Sequence, residues 1–169
     1  LSIEDTKSIV HAYVTSKLDQ NNSLLIGCPD YLINRIQRVQ NAAAKVIFRA
    51  KKHDHVTGHG LLRELHWLPV PQRIIFKILL LTFKALHDEG PPYLKELLIW
   101  HVPKRTLRSS NELLLDIPKS RLKTYGDRSF CVAAPRLWNN LPLTIRQSSS
   151  TGSFKQSLKT YLFKEAYSC

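Results

Sequence analysis

The segment from Gln72 to His87, QRIIFKILLLTFKALH, limits the possible folds of this chain more than any other. Pro69 and Pro71 precede it, where a missing N–H costs little, and Gly90-Pro91-Pro92 closes it. Between these stops Ile74, Ile75, Ile78, Leu79, Leu81, Phe83, Ala85 and Leu86 would cover most of a helix's circumference. Only Arg73, Lys77, Lys84 and Asp88 form a narrow polar stripe. A helix apolar on so many sides needs other helices around it. The expected fold class is therefore mainly α. It would be an irregular helical bundle around one buried central helix, with Ile74, Ile78, Leu79, Phe83 and Leu86 in the core and an extended basic arm downstream.

A chain of 169 residues can bury one ordinary core. Hydrophobic residues make up 43% and glycine is scarce, which favours a folded, helix-rich protein over disorder. With no methionine anywhere, the simplest expectation is an excerpt from a longer polypeptide. No apolar run approaches the ~18 residues that span a bilayer. The first residues do not resemble a signal peptide. Cys28, Cys131 and Cys169 are odd in number and widely spaced, which fits reduced intracellular thiols better than a disulfide framework.

Twenty-five basic residues face 13 acidic ones, a net charge of +12. That excess favours a polyanionic partner. It is concentrated in two places. From Tyr31 to Lys52 there are six basic residues and no acidic one. Within the helix expected from Asp30 to Ala50, Leu32, Ile36, Val39, Ala43, Val46 and Ile47 recur at three and four and read as the buried stripe. Arg35, Arg38, Lys45 and Arg49 line up on another face. Such stripes are commonly solvated, but the lack of any compensating carboxylate favours phosphate contact. The second concentration runs from Lys104 to Arg136. There Arg105, Arg108, Arg121, Lys123 and Arg128 lie among hydroxyl groups and Tyr125, on a segment without helical period. This suits either a nucleic-acid backbone or a solvated loop. Leu113 to Pro118 reads equally as a strand or as an extended arm.

Elsewhere, Ser2 and Asp5 have capping-box spacing for a helix from about Ile3 to Leu18, with Ile9, Val10, Tyr13 and Val14 on one face. A short helix is expected over Leu61–Leu68, with Trp67 as a wedge between helices, and another over Tyr93–Trp100. Asp127 can cap a helix to Asn140, in which Pro135 starts a second segment or kinks the first. A last helix starting at Thr151 or Ser153 would bury Phe154, Leu158, Tyr161 and Leu162. His53, His55 and His59 invite a zinc hypothesis, but no cysteine or carboxylate completes a metal-binding spacing, so a polar linker is preferred.

The segments LHWLPVPQRIIFKILLLTFKAL, PPYLKELL, YGDRSFCVAAPRLWNNLP and SFKQSLKTYLF occur in this order. They closely resemble the C-terminal part of LINE-type (non-LTR) retrotransposon reverse transcriptases, of the jockey-like and chicken-repeat-like branches. The upstream run YVTSKLDQNNSLLIGCPDYLINRIQRVQNAAAKVI also matches, so the resemblance covers most of the chain. One departure is His55-Val56-Thr57-Gly58, where the family usually has a His-aliphatic-Thr-Pro run. The resemblance implies a thumb and post-thumb region, divided here into a thumb-like domain over residues 1–100 and an arm with C-terminal helices over 101–169. It also implies upstream palm, fingers and endonuclease domains as partners in a parent polyprotein, and a location in nucleus and cytoplasm.

Polymerases transfer nucleotidyl groups with two metals held by paired carboxylates. No two of the seven aspartates are adjacent, and no P-loop or nucleophile motif is present. The expectation is a non-catalytic piece of an RNA-directed DNA polymerase that grips RNA or an RNA–DNA duplex, with no cofactor and no metal of its own. The alternative is a structural or protein-interaction remnant of a decayed element, with no nucleic-acid role.

Overall fold

Ser2 opens the first helix with the capping box its spacing predicts. The Asp5 amide donates to Ser2 Oγ at 3.1 Å, and the Ser2 amide donates to Asp5 Oδ2 at 2.9 Å. These bonds hold the Asp5 carboxyl below its ordinary pKa. The computed structural model describes residues 2–50, 58–103, 112–122 and 125–168. It is mainly helical, and among the described residues the only β pairing is an isolated antiparallel bridge between Trp100 and Leu115.

Helix α1 (Ile3–Val10) passes through a π turn (His11–Thr15) into α2 (Ser16–Asp19). A π turn spaces equivalent positions five apart instead of four, and the buried residues here are Val10 and Thr15. This corrects the expected inner face: Val10 is buried and Val14 half-buried, but Ile9 and Tyr13 point to solvent. A 3₁₀ turn (Asn22–Leu25) then leads to α3 (Asp30–Ile47), α4 (Gly58–Glu64), α5 (Val70–Leu86) and α6 (Pro92–Glu96). After an irregular stretch come α7 (Phe130–Asn139), α8 (Leu143–Arg146) and α9 (Thr151–Tyr167).

Three of these helices stop at a left-handed residue that is not glycine. Arg49, His66 and Asp88 have φ near +52°, +52° and +58°. In each case the next amide reaches back to close the last turn: Ala50 to Lys45 O, Trp67 to Leu62 O and Glu89 to Lys84 O. Accordingly α3 ends at Ile47, three residues short of the expected Ala50. Ser129 stands at the N-cap of α7 in place of Asp127, whose carboxylate instead accepts from Arg136 at 3.0 Å. Pro135 lies inside α7 and is buried, so one helix continues through it.

The chain forms two compact units, residues 1–74 with 161–169, and residues 75–160. The expected division after residue 100 does not coincide with these, because α5 and α9 each contribute to both units. The first unit is built on Val10, Ala43, Ala44, Ile47, Leu61, Leu62 and Tyr167, with Leu65 and Trp67 against them. The Tyr167 hydroxyl donates to the Trp67 carbonyl at 2.6 Å, and burial pushes its pKa up to about 12. Trp67 is thus a wedge, as expected, and Arg73 lies 5.9 Å over its ring.

The second unit has an aromatic core. Phe83 stacks on Phe154 at 4.2 Å between centroids and lies 6.5 Å from Trp138. Ile78, Leu79, Phe83, Leu158 and Ala134 are buried with them, and the one buried hydroxyl of α5, Thr82, donates to Ile78 O. The Leu113–Pro118 stretch has no helix, starts at a left-handed Leu113 (φ +50°), carries the bridge at Leu115 and is held down rather than free. Asn139 donates to Leu115 O and accepts from its amide, and the Trp138 indole donates to Leu113 O at 2.8 Å. Arg146 is buried beside Leu113, and desolvation lowers its pKa against the pull of Glu112. Of the residues expected in the core, Ile74, Ile78, Leu79 and Phe83 are buried and Leu86 is half-buried.

Candidate nucleic-acid interface

The orientation of α3 is decided by two glutamines. At the start of α5 the Val70 amide has no helical partner, and the Leu68 carbonyl lies in a buried turn flanked by prolines. Gln37 Oε1 accepts from the Val70 amide at 2.8 Å, and Gln40 Nε2 donates to Leu68 O at 2.9 Å. Gln37 Nε2 also donates to Gln40 Oε1 and Asn41 Oδ1, both at 2.9 Å, so the cluster is internally satisfied. Arg73 Nε donates to the same Leu68 carbonyl, and its guanidinium pairs with Asp19 at 2.7 Å.

To bring Gln40 inward, α3 is rotated away from its most apolar face. The buried residues are Gln40, Ala43, Ala44 and Ile47. The expected stripe is therefore corrected. Ala43 and Ile47 are buried, Leu32 and Ile36 are half-buried, and Val39 and Val46 are 51% and 58% exposed. Sequence periodicity favoured the valines because they are apolar. The signal that identifies the inward face is the pair of glutamines three apart on a line with Ala43, Ala44 and Ile47.

The basic positions fare unevenly. Arg35 and Arg38 are exposed on α3, and no carboxylate of the described residues pairs with either. Lys45 is half-buried in the last turn, where a cation suits the helix dipole. Arg49 is not on this face as expected: it lies beyond the helix, in the left-handed position that ends it, with contacts of its own. Tyr31, 65% exposed, belongs to the same outward side as Arg35 and Arg38.

In the second unit a shallow cleft of about 280 Å³ is lined by Lys119, Ser120, Arg121 and Gly126 with neighbouring residues. Its shape depends on Gly126, where a Cβ would fall 1.9 Å from Ser120 Oγ. The Gly126 amide donates to Leu122 O at 2.9 Å, and Ser129 Oγ donates to Gly126 O. Arg121 is exposed at this cleft; Tyr125, next to Gly126 in sequence, is exposed but does not line it. Arg128 is half-buried and engaged in contacts of its own. Lys119, another basic residue of the Lys104–Arg136 concentration, also lines the cleft. Arg105, Arg108 and Lys123 lie outside the described residues, as do His53 and His55 of the zinc hypothesis.

Among the described residues no three His, Cys, Asp or Glu side chains are grouped to hold a metal ion, and no helix is long and apolar enough to cross a membrane. Neither Cys28 nor Cys131 is in a disulfide. Compared with family models, with curated proteins and with solved structures, the chain matches none.

Proposed function

We propose that this chain is a non-catalytic, nucleic-acid-gripping piece of a retrotransposon RNA-directed DNA polymerase, corresponding to its thumb and post-thumb region. The observation that carries the reading is the outward face of α3. Arg35 and Arg38 stand there unpaired by any described carboxylate, Lys45 follows in the last turn, and no acidic residue occurs between Tyr31 and Ala50. Side chains so placed neutralise phosphates without reading bases, so binding is strongly salt-dependent and weakly sequence-selective. Arg121 and Lys119 form a second, smaller basic surface at their cleft. The likeness of four ordered segments to LINE-type reverse transcriptases supplies the parentage. Palm, fingers and endonuclease domains would then lie in the same polyprotein, working in cytoplasm and nucleus. With no adjacent aspartates to hold two metals, the chain itself does not extend a primer.

The test is binding to single strands, DNA duplex and RNA–DNA duplex across a series of salt concentrations, wild type beside the triple variant Arg35→Gln, Arg38→Gln, Lys45→Gln. Gln forms helices about as well as Arg and Lys, so α3 persists. The expected result is a salt slope reduced by up to ~0.7–0.9 for each phosphate that the variant no longer neutralises. An unchanged slope would move the grip off α3. Absence of salt-dependent binding in the wild type would favour a structural or protein-interaction remnant instead.

A further inference from the structure

The rotation of α3 that buries Gln40 leaves an apolar groove open along its other side. The groove measures about 380 Å³ and is walled by Leu25, Leu32, Ile33, Ile36 and Val39, with Arg35 at its edge. Leu32, Ile36 and Val39 follow one another at four and three along the helix, so the apolar surface runs parallel to its axis. Leu24, beside Leu25 in the 3₁₀ turn, is itself 75% exposed. Isolated exposed apolar side chains are ordinary on a protein surface. A continuous concave row of them is the mark of a docking site.

We propose that this groove receives an acidic amphipathic helix from a partner protein. Its length and spacing suit apolar side chains repeated at i, i+4 and i+7, the pattern by which a helix lies in a groove. The charge around it specifies the sign of the partner. Arg35 lines the groove, and residues 31–50 contain no carboxylate to oppose it. A partner with glutamates flanking its apolar row is attracted and oriented by that charge. A second copy of this chain is disfavoured by the same charge, since pairing two such faces sets Arg35 against its own kind on chains of +12 each. Nucleic acid has no apolar row to fill the groove. The inference shares Arg35 with the proposed phosphate contacts, but it rests on the apolar row, which those contacts do not use.

The experiment uses the full chain and a synthetic helical peptide of about five turns, with Leu at i, i+4 and i+7 and Glu around them, followed by fluorescence anisotropy. Control peptides replace Glu by Lys, or Leu by Ser. Val39→Gln changes an exposed side chain that the fold does not need. Ile36→Ala removes a groove wall, with circular dichroism and thermal melting checking that it folds. The expected result is binding of the acidic peptide alone, weakened about tenfold or more in the double variant. The nucleic-acid salt slope of that variant should stay unchanged. Equal affinity of the variant, or equal binding of the Lys peptide, overturns the proposal. So does a concentration-dependent dimer abolished by Val39→Gln, which would make a second copy the occupant. A nucleic-acid affinity that falls together with peptide binding would give the groove to nucleic acid and overturn it equally.

Discussion

Helix α3 in the first unit and the Ile75–Leu86 stretch of α5 in the second unit each present an apolar row at helical spacing, yet they use it in opposite ways. In α5 the row goes inward: Ile78, Leu79, Phe83 and Ala85 are all at most 2% exposed. In α3 the row is turned half out, and a glutamine takes the buried place. The difference lies in what each helix has to meet. Phe83 meets Phe154 and Trp138, whose faces ask only for apolar area. The inner face of α3 meets a backbone amide and a carbonyl at the start of α5. Turning the glutamines away would leave the Val70 amide without its partner and the Leu68 carbonyl with Arg73 alone. That is a cost of about 1–3 kcal/mol, comparable with half-exposing two valines. An apolar row therefore identifies a core face only where the opposing surface has no backbone groups to satisfy.

The largest break of this comparison is Ile78→Asp. An unpaired carboxylate at a site 2% exposed should abolish the cooperative unfolding transition of the second unit, read by near-ultraviolet circular dichroism. Retention of that transition would show that the aromatic core does not depend on α5. Next comes Gln40→Ala, which strips the Leu68 carbonyl of one of its two side-chain donors and Gln37 of an acceptor. A loss of about 1–3 kcal/mol is expected in urea titration. A loss near zero would mean the glutamine cluster does not orient α3.

A smaller effect separates the units by pH. Tyr167 has its pKa raised from an ordinary 10.0 to about 12, chiefly by burial. The unfolded chain then releases its proton first, so the stabilisation is complete below pH 10 and is lost as pH rises through about 12. Tyr167→Phe should remove this alkaline decline and, at neutral pH, cost about 1 kcal/mol for the bond to Trp67 O. An identical alkaline profile in the variant would assign the decline to another group. The smallest expected effect is that of Val39→Asp. The same apolar-to-acid change that breaks α5 should alter stability by no more than about 0.5 kcal/mol, because Val39 is half exposed. A melting temperature lowered as far as by Ile78→Asp would restore the expected apolar stripe of α3.

Much of the fold was readable from local chemistry. The Ser2–Asp5 box, the inward Phe154, Leu158 and Leu162, and the buried row of α5 all follow from spacing alone. Other features were not. Ile9 and Tyr13 face solvent because a π turn resets the register, and nothing in HAYVT marks that turn. The end of α3 escaped because its left-handed stop is Arg49, not glycine. Asp127 has the chemistry of a cap, but its carboxylate is taken by Arg136 and Ser129 holds the cap position.

The candidate site divides along the same line. Sequence alone determined that the chain is helical, strongly basic, and without a carboxylate between Tyr31 and Ala50, because composition and periodicity are properties of one segment at a time. Tertiary structure decided which side of α3 carries Arg35 and Arg38 outward, that Arg49 leaves that side, and that Leu32, Ile36 and Val39 line an open groove. That choice was made by hydrogen bonds that tie Gln37 to the Val70 amide, 33 residues away, and Gln40 to the Leu68 carbonyl, 28 residues away. A helix's own pattern states which faces it could bury; the unsatisfied groups of its neighbours select among them.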